Sequence, residues 1–183
     1  MWFPVLSLFT LTAVIQDRIC CLREIMGVII NKFTGKFNEF RALAPGERFS
    51  VRVTDTEAAD AAREYLTKNR SHVSEMIRSA AGVGLDVSDP EVRFHPDEVF
   101  ISARGGKGFM KVKASLCAEI RWDGRPLVNV RSVEVPFVPV TPQKLNSVVE
   151  KPLVSIMKTV GDYAEIISFR IAEGEAVLDA LRK

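Results

Sequence analysis

Cysteine, histidine and charge of one dominant sign are all scarce in this 183-residue chain. It carries three Cys, namely Cys20, Cys21 and Cys117, with no C-x-x-C pair, and only two His, His72 and His95. A tetrahedral zinc site built from N and S ligands would therefore lack donors, and neither a metal nor a cofactor is expected. Cys20 and Cys21 are adjacent, a spacing at which disulfide geometry is strained. All three Cys read as small hydrophobes, buried or membrane-facing. The 25 Lys+Arg against 23 Asp+Glu leave a net charge of only +2. Nucleic acid is thereby excluded as the main partner, because phosphate binding needs a one-sided surplus of Lys and Arg. No repeat or low-complexity tract is present. With 47% hydrophobic residues, the chain can offset the entropy of ordering, so disorder is excluded as its main state.

Charge is wholly missing from residues 1–15, MWFPVLSLFTLTAVI. That run is shorter than the ~20 residues a spanning helix needs, and it lacks the basic stretch that precedes a signal peptide's apolar core. Beyond it, Ile19, Leu22, Ile25, Met26, Ile29, Ile30, Phe33, Phe37 and Phe40 recur at helical spacing. Three readings fit: an atypical signal anchor, an interfacial amphipathic helix, or a helix that packs in solution. Trp2 and Phe3 beside an uncharged run favour membrane association through residues 1–30. A translation start at Met26 would remove most of the segment. The expected organisation is a hydrophobic N-terminal helix at 1–40, a linker at 41–48 carrying Pro45 and Gly46, and a folded domain at 49–183.

Within the domain, Phe49, Val51 and Val53 alternate with polar residues as a half-buried strand does. Thr54-Asp55-Thr56-Glu57 forms a capping box for a following helix, and Val73, Met76, Ile77 and Ala80 mark a second short helix ended by Gly82 and Gly84. Short strands are expected at Val92–Phe94 and Val99–Ala103, with His95-Pro96-Asp97 as the turn between them, and Gly105, Gly106 and Gly108 as the next connection. The strongest pattern runs over residues 109–122. Met110, Val112, Ala114, Leu116, Ala118, Ile120 and Trp122 share one face, opposite Lys111, Lys113, Ser115, Glu119 and Arg121. Asp123-Gly124 turns the chain. The returning strand slips by one residue at Arg131-Ser132, the mark of a bulge. After Pro136 and Pro139, Thr141-Pro142 opens a helix over 142–160, roughly 28 Å long. It places Leu145, Val149, Leu153, Ile156 and Met157 on one stripe, with Lys144, Lys151 and Lys158 opposite and a kink expected at Pro152. Ile167, Phe169 and Ile171 form another strand, and the closing AVLDAL fits either strand or helix.

This order resembles the YpmS-like and LmeA-like bacterial envelope proteins, which share the TULIP-type lipid-binding fold. The residues that carry the resemblance are V-T-D-T-E at 53–57, R-W-D-G-R-P-L at 121–127 and V-E-V-P-F-V-P at 133–139 with the helix behind them, within a stretch from Phe49 to Leu181. It implies an α+β fold class: a long, highly curved antiparallel sheet wrapped around a long C-terminal amphipathic helix, TULIP-like, with the hydrophobic N-terminal helix in front. It also implies a lipid or other lipophilic ligand held in an elongated apolar groove, and a membrane-associated location at the cell envelope. Absence of upstream basic residues departs from the usual anchored N-terminus and keeps a cytoplasmic location open.

A wholly apolar strand face and a matching helix stripe make either a packed core or a channel. Taken alone that pattern favours a packed core; it is the resemblance that puts first a non-enzymatic lipid binding by Met110, Val112, Ala114, Leu116, Ile120, Trp122, Leu145, Val149, Leu153, Ile156 and Met157. The alternative is a structural or adaptor domain with a filled core that binds a protein partner. No enzyme is expected, because His72 and His95 have no partner constellation and Glu57 is accounted for as a cap.

Overall fold

A computed structural model describes residues 24–29, 31–81, 86–107, 110–134 and 141–183. The calls on residues 1–23, on Gly82 and Gly84, on Gly108 and on Pro136 and Pro139 lie outside the described residues.

The helical residues 24–29 and 31–39 form α1, followed by a single 3-10 turn at Phe40–Ala42. Then come β1 (Arg48–Thr54), α2 (Asp55–Lys68), α3 (Arg70–Ala81), β2 (Asp86–His95), β3 (Glu98–Lys107), β4 (Met110–Trp122) and β5 (Pro126–Glu134). A 3-10 turn at Pro142–Leu145 leads into α4 (Asn146–Gly161), and β6 (Ala164–Ala172) and β7 (Glu175–Arg182) follow. The fold is α+β with two antiparallel sheets, of order β1-β7-β6 and β2-β3-β4-β5, and neither closes on itself.

Two expectations are corrected. The single long curved sheet is replaced by these two sheets. The long C-terminal helix is replaced by α4, which has 16 residues and is followed by two strands. The shortening has a local cause: residues 142–145 wind as a 3-10 turn behind Pro142, and Thr141 makes no side-chain cap that would nucleate an α-helical first turn. Helical backbone continues through Pro152 to Gly161. Gly105 and Gly106 belong to β3 and pair with Val112 and Lys111, so the connection they were expected to make lies further along.

Other local signals hold. Thr54 caps α2 in both directions, with its Oγ1 accepting from the Glu57 N–H at 3.2 Å and its own N–H donating to Glu57 Oε2 at 3.0 Å. Glu57 also pairs with Lys36 of α1 at 2.6 Å. That lysine, and then the Thr54 N–H, hold the Glu57 carboxyl below its ordinary range. The slip in β5 falls where expected: register against β4 shifts between Cys117 and Ala118, leaving Arg131 as the extra residue.

Opposed residues on paired antiparallel strands share a face. In the first sheet Phe49, Ala180 and Ile166 form one apolar row, Val51, Leu178 and Phe169 a second, and Val53, Ala176 and Ile171 a third. In the second sheet Val99, Ile101, Ala118, Leu116, Val130 and Ile120 do the same. The core between them includes α1, through Ile25, Met26, Ile29, Phe33 and Phe37. Phe33 meets Phe169 of β6 edge-on at 6.2 Å, and Phe37 meets Phe49 of β1 at 5.7 Å. Residues 24–39 and the strands of the domain thus share one core.

The sheets are tied at a corner. Asp97, at φ 62°, donates its N–H to Ile171 of β6 at 3.0 Å and accepts from the Ile120 N–H of β4 at 2.8 Å. Gly174, at φ 75° in the β6–β7 turn, donates to Phe94 of β2 at 2.9 Å.

Candidate functional site

β5 and β6 are both edge strands, and α4 packs against both of them, bridging the gap that the unclosed sheets leave. An open cleft of about 550 Å³ lies at one end of this seam. That volume lies within the range of roughly 300–1,000 Å³ typical of small-molecule sites. Its apolar lining is Trp122, Pro126, Val154, Met157, Ala164 and Ile166. Trp122 stands opposite Pro126 in the β4–β5 pairing, so both face the same way at the hairpin's mouth, where Gly124 takes φ 65° to close the turn. Val154 is 46% exposed, although it sits on a helix whose other apolar residues Leu153, Ile156 and Met157 are buried. Val154 thus adds a solvent-facing apolar side chain to the wall of the cleft.

Charged residues surround this lining. Arg125, Lys158 and Lys183 contribute cations and Glu150 and Glu165 contribute acids. The Lys183 ammonium donates to the Gly161 carbonyl, where α4 ends. None of the five enters an ion pair among the described residues. The cleft thus combines an apolar floor with an ionic rim.

A second cleft of about 370 Å³ between α2 and the start of β2 is different in kind. Its charges are already partnered: Arg70 pairs with Asp86 at 2.9 Å, Arg63 pairs with Asp60, and Lys111 donates to Ser88 Oγ at 3.3 Å. The Arg70 hydrogen bond holds the Asp86 carboxyl below its ordinary range.

Of the eleven lipid-binding residues expected from sequence, Trp122 and Met157 line the 550 Å³ cleft. Leu116, Ile120, Leu145, Val149, Leu153 and Ile156 are buried in the shared core, and Val112 and Ala114 are half-buried on β4. The Met110 side chain lies outside the described residues. Sequence reasoning passed over Arg125, Pro126, Val154, Ala164 and Ile166. One clue was available for Val154, an apolar residue on the same side of α4 as Glu150, Lys151 and Lys158.

The histidines are apart. His72 is exposed on α3, and His95 Nδ1 lies 3.2 Å from Glu173 Oε2 at the tied corner. Among the described residues, no group of three or more His, Cys, Asp or Glu could hold a metal ion, and no helix is long and apolar enough to cross a membrane.

No family model matches the chain, and no curated protein matches it. Among solved structures, the crystal structure of a lipopolysaccharide binding protein is similar at 16% identity and a TM-score of 0.19, over 77% of this chain and 50% of that one. The chain thus spans about half the length of that protein.

Proposed function

We propose that this protein is a non-enzymatic, membrane-associated binder of lipids or related amphiphiles, acting at the cell envelope as the sequence resemblance implies. The observation that carries the reading is the cleft at the β5–α4–β6 seam. It offers apolar surface from Trp122, Pro126, Val154, Met157 and Ile166 beside unpaired Arg125 and Lys158. A free acyl chain gains about 0.8 kcal/mol per buried methylene, so even a short tail lying along Trp122 and Met157 gives useful affinity. A cationic rim selects for an anionic head through charge-assisted hydrogen bonds.

Native mass spectrometry of the full chain, purified gently and compared with a denatured control, tests this directly. A co-purifying mass that is released on denaturation and matches a lipid supports the reading and names the class. Trp122 supplies a second readout in a Trp2→Phe background, where it is the sole tryptophan. Its emission should shift on titration with a fatty acid or a lysophospholipid. An apo mass together with unmoved Trp122 emission would overturn the proposal and leave a filled-core adaptor as the better account.

A further inference from the structure

Resting on the reading of the seam cleft as an amphiphile site, we infer that its ligand carries a zwitterionic head on a single chain, as a lysophosphatidylethanolamine does. Charge on the rim specifies the head. The Lys183 ammonium is engaged by the Gly161 carbonyl, which leaves Arg125 and Lys158 against Glu150 and Glu165. These two cations and two acids are all exposed, and none of the four forms an ion pair among the described residues. Elsewhere opposite charges do pair: on the outer face of the second sheet Lys113 and Arg93 meet Glu91, and Arg121 and Arg131 meet Glu119. Around the cleft the two signs come from separate places. Arg125 lies in the β4–β5 turn and Glu165 on β6, while Glu150 and Lys158 stand eight residues, about 12 Å, apart along α4 with Val154 midway. A head of one sign placed there meets two residues that attract it and two that repel it. An ammonium and a phosphate on one head give both signs a partner.

The wall specifies the chain. Trp122, Val154 and Ile166 bring apolar surface from β4, α4 and β6 to an open cleft. On the same three elements Ile120, Leu153, Ile156 and Phe169 are buried in the shared core, so a tail has no way in between the sheets and lies along the wall. One chain there takes its own apolar surface and that of the wall out of water together. A second chain finds no further wall and stays in solvent.

Trp122 emission in the full-length Trp2→Phe chain reads both parts, with four probes of short, matched tails kept below their micelle concentrations. A lysophosphatidylethanolamine should bind about tenfold tighter than a fatty acid or an alkyltrimethylammonium ion. A diacyl phosphatidylethanolamine should bind no tighter than its single-chain counterpart. Glu150→Gln combined with Glu165→Gln should tighten the fatty acid and weaken the zwitterion until the two are nearly equal. Arg125→Gln combined with Lys158→Gln should do the same for the alkyltrimethylammonium ion. All four side chains are exposed, so these variants should unfold as the wild type does. A fatty acid that matches the zwitterion on the wild type, or a preference that the Glu150 and Glu165 changes leave unmoved, would overturn the zwitterionic head and leave lipid binding standing. A diacyl lipid that binds about tenfold tighter than its single-chain counterpart would overturn the single chain. Emission unmoved by all four probes would remove the amphiphile reading itself, and this inference with it.

Discussion

The two sheets meet in two ways within one molecule. At the corner they are joined by backbone hydrogen bonds through Asp97, Gly174 and Phe94, and the side chains behind that junction, Phe94, Ile120 and Ile171, are buried. At the seam β5 and β6 have no strand between them, α4 lies across the gap, and apolar side chains reach solvent beside unpaired charges. The corner joins the sheets through three backbone hydrogen bonds made possible by positive φ at Asp97 and Gly174. The seam leaves groups unsatisfied, and that is where binding has something to gain.

This contrast can be broken first at the core that both regions share. Phe33→Ala should cost about 3–5 kcal/mol in a urea unfolding titration, because it empties a buried ring site between α1 and β6. A change under ~1 kcal/mol would show that α1 contributes little to the fold. Next comes Asp179, 7% exposed at the middle of β7, which accepts from Ser50, from Ser168 at 2.9 Å and from Arg170 at 2.6 Å. Those partners, the Ser50 hydroxyl foremost, hold its carboxyl below the usual range despite burial. Asp179→Ala should cost about 1–3 kcal/mol by stranding them. The pH dependence has a definite sign. A folded pKa below the unfolded one contributes stability above the unfolded value, and that contribution is lost as pH falls through the folded value. The gap between wild type and Asp179→Asn should therefore narrow as unfolding is followed from neutral pH to about pH 3, and a gap that widens would contradict this.

A corner-specific change is smaller. Gly174→Val forces a side chain into positive φ and should cost about 1–2 kcal/mol by thermal or urea unfolding. The space itself is open there, with the nearest atom 4.0 Å from the added Cβ, so the penalty is conformational and Gly174→Asn should recover part of it. Smallest of all is the seam. Val154→Asp should leave stability within about 0.5 kcal/mol while abolishing the Trp122 response to amphiphiles. A destabilisation as large as that of Gly174→Val would mean that the seam is packed and not open.

Much of this was legible beforehand, and the failures have physical causes. Period-two alternation placed the β4 face correctly from Val112 to Trp122, and the bulge at Arg131 followed from one slipped residue. The Thr54–Glu57 box was readable because both of its partners lie within one turn. Periodicity names a face but not its neighbour. The stripe at Ile25, Met26, Ile29, Phe33 and Phe37 was recognisable as helical, yet nothing local revealed that it packs against Phe49 and Phe169. The closing AVLDAL was ambiguous because β7 is the central strand of its sheet, buried at five successive positions from Ala176 to Ala180. Such a strand loses its alternation. Val177 is covered on the outer face, where Arg52 and Arg170 stand opposite it and can lay their stems along it. The cleft was harder still, since Arg125, Val154 and Ile166 come from three elements that no spacing rule connects.

The pairing of β1 with β7 also sets the order of events during synthesis. Ser50 and Asp179 hydrogen-bond although 129 residues separate them, and β1 has no other strand partner. A ribosome therefore delivers β1, with its Phe49, Val51 and Val53 stripe, long before its mate exists, while the four-stranded meander can zip up from hairpins as it emerges. Loop closure across such a span is slow, and an unpaired apolar strand is an invitation to aggregate. Yield of this protein should accordingly respond more to chaperone supply and growth temperature than its finished stability would lead one to expect.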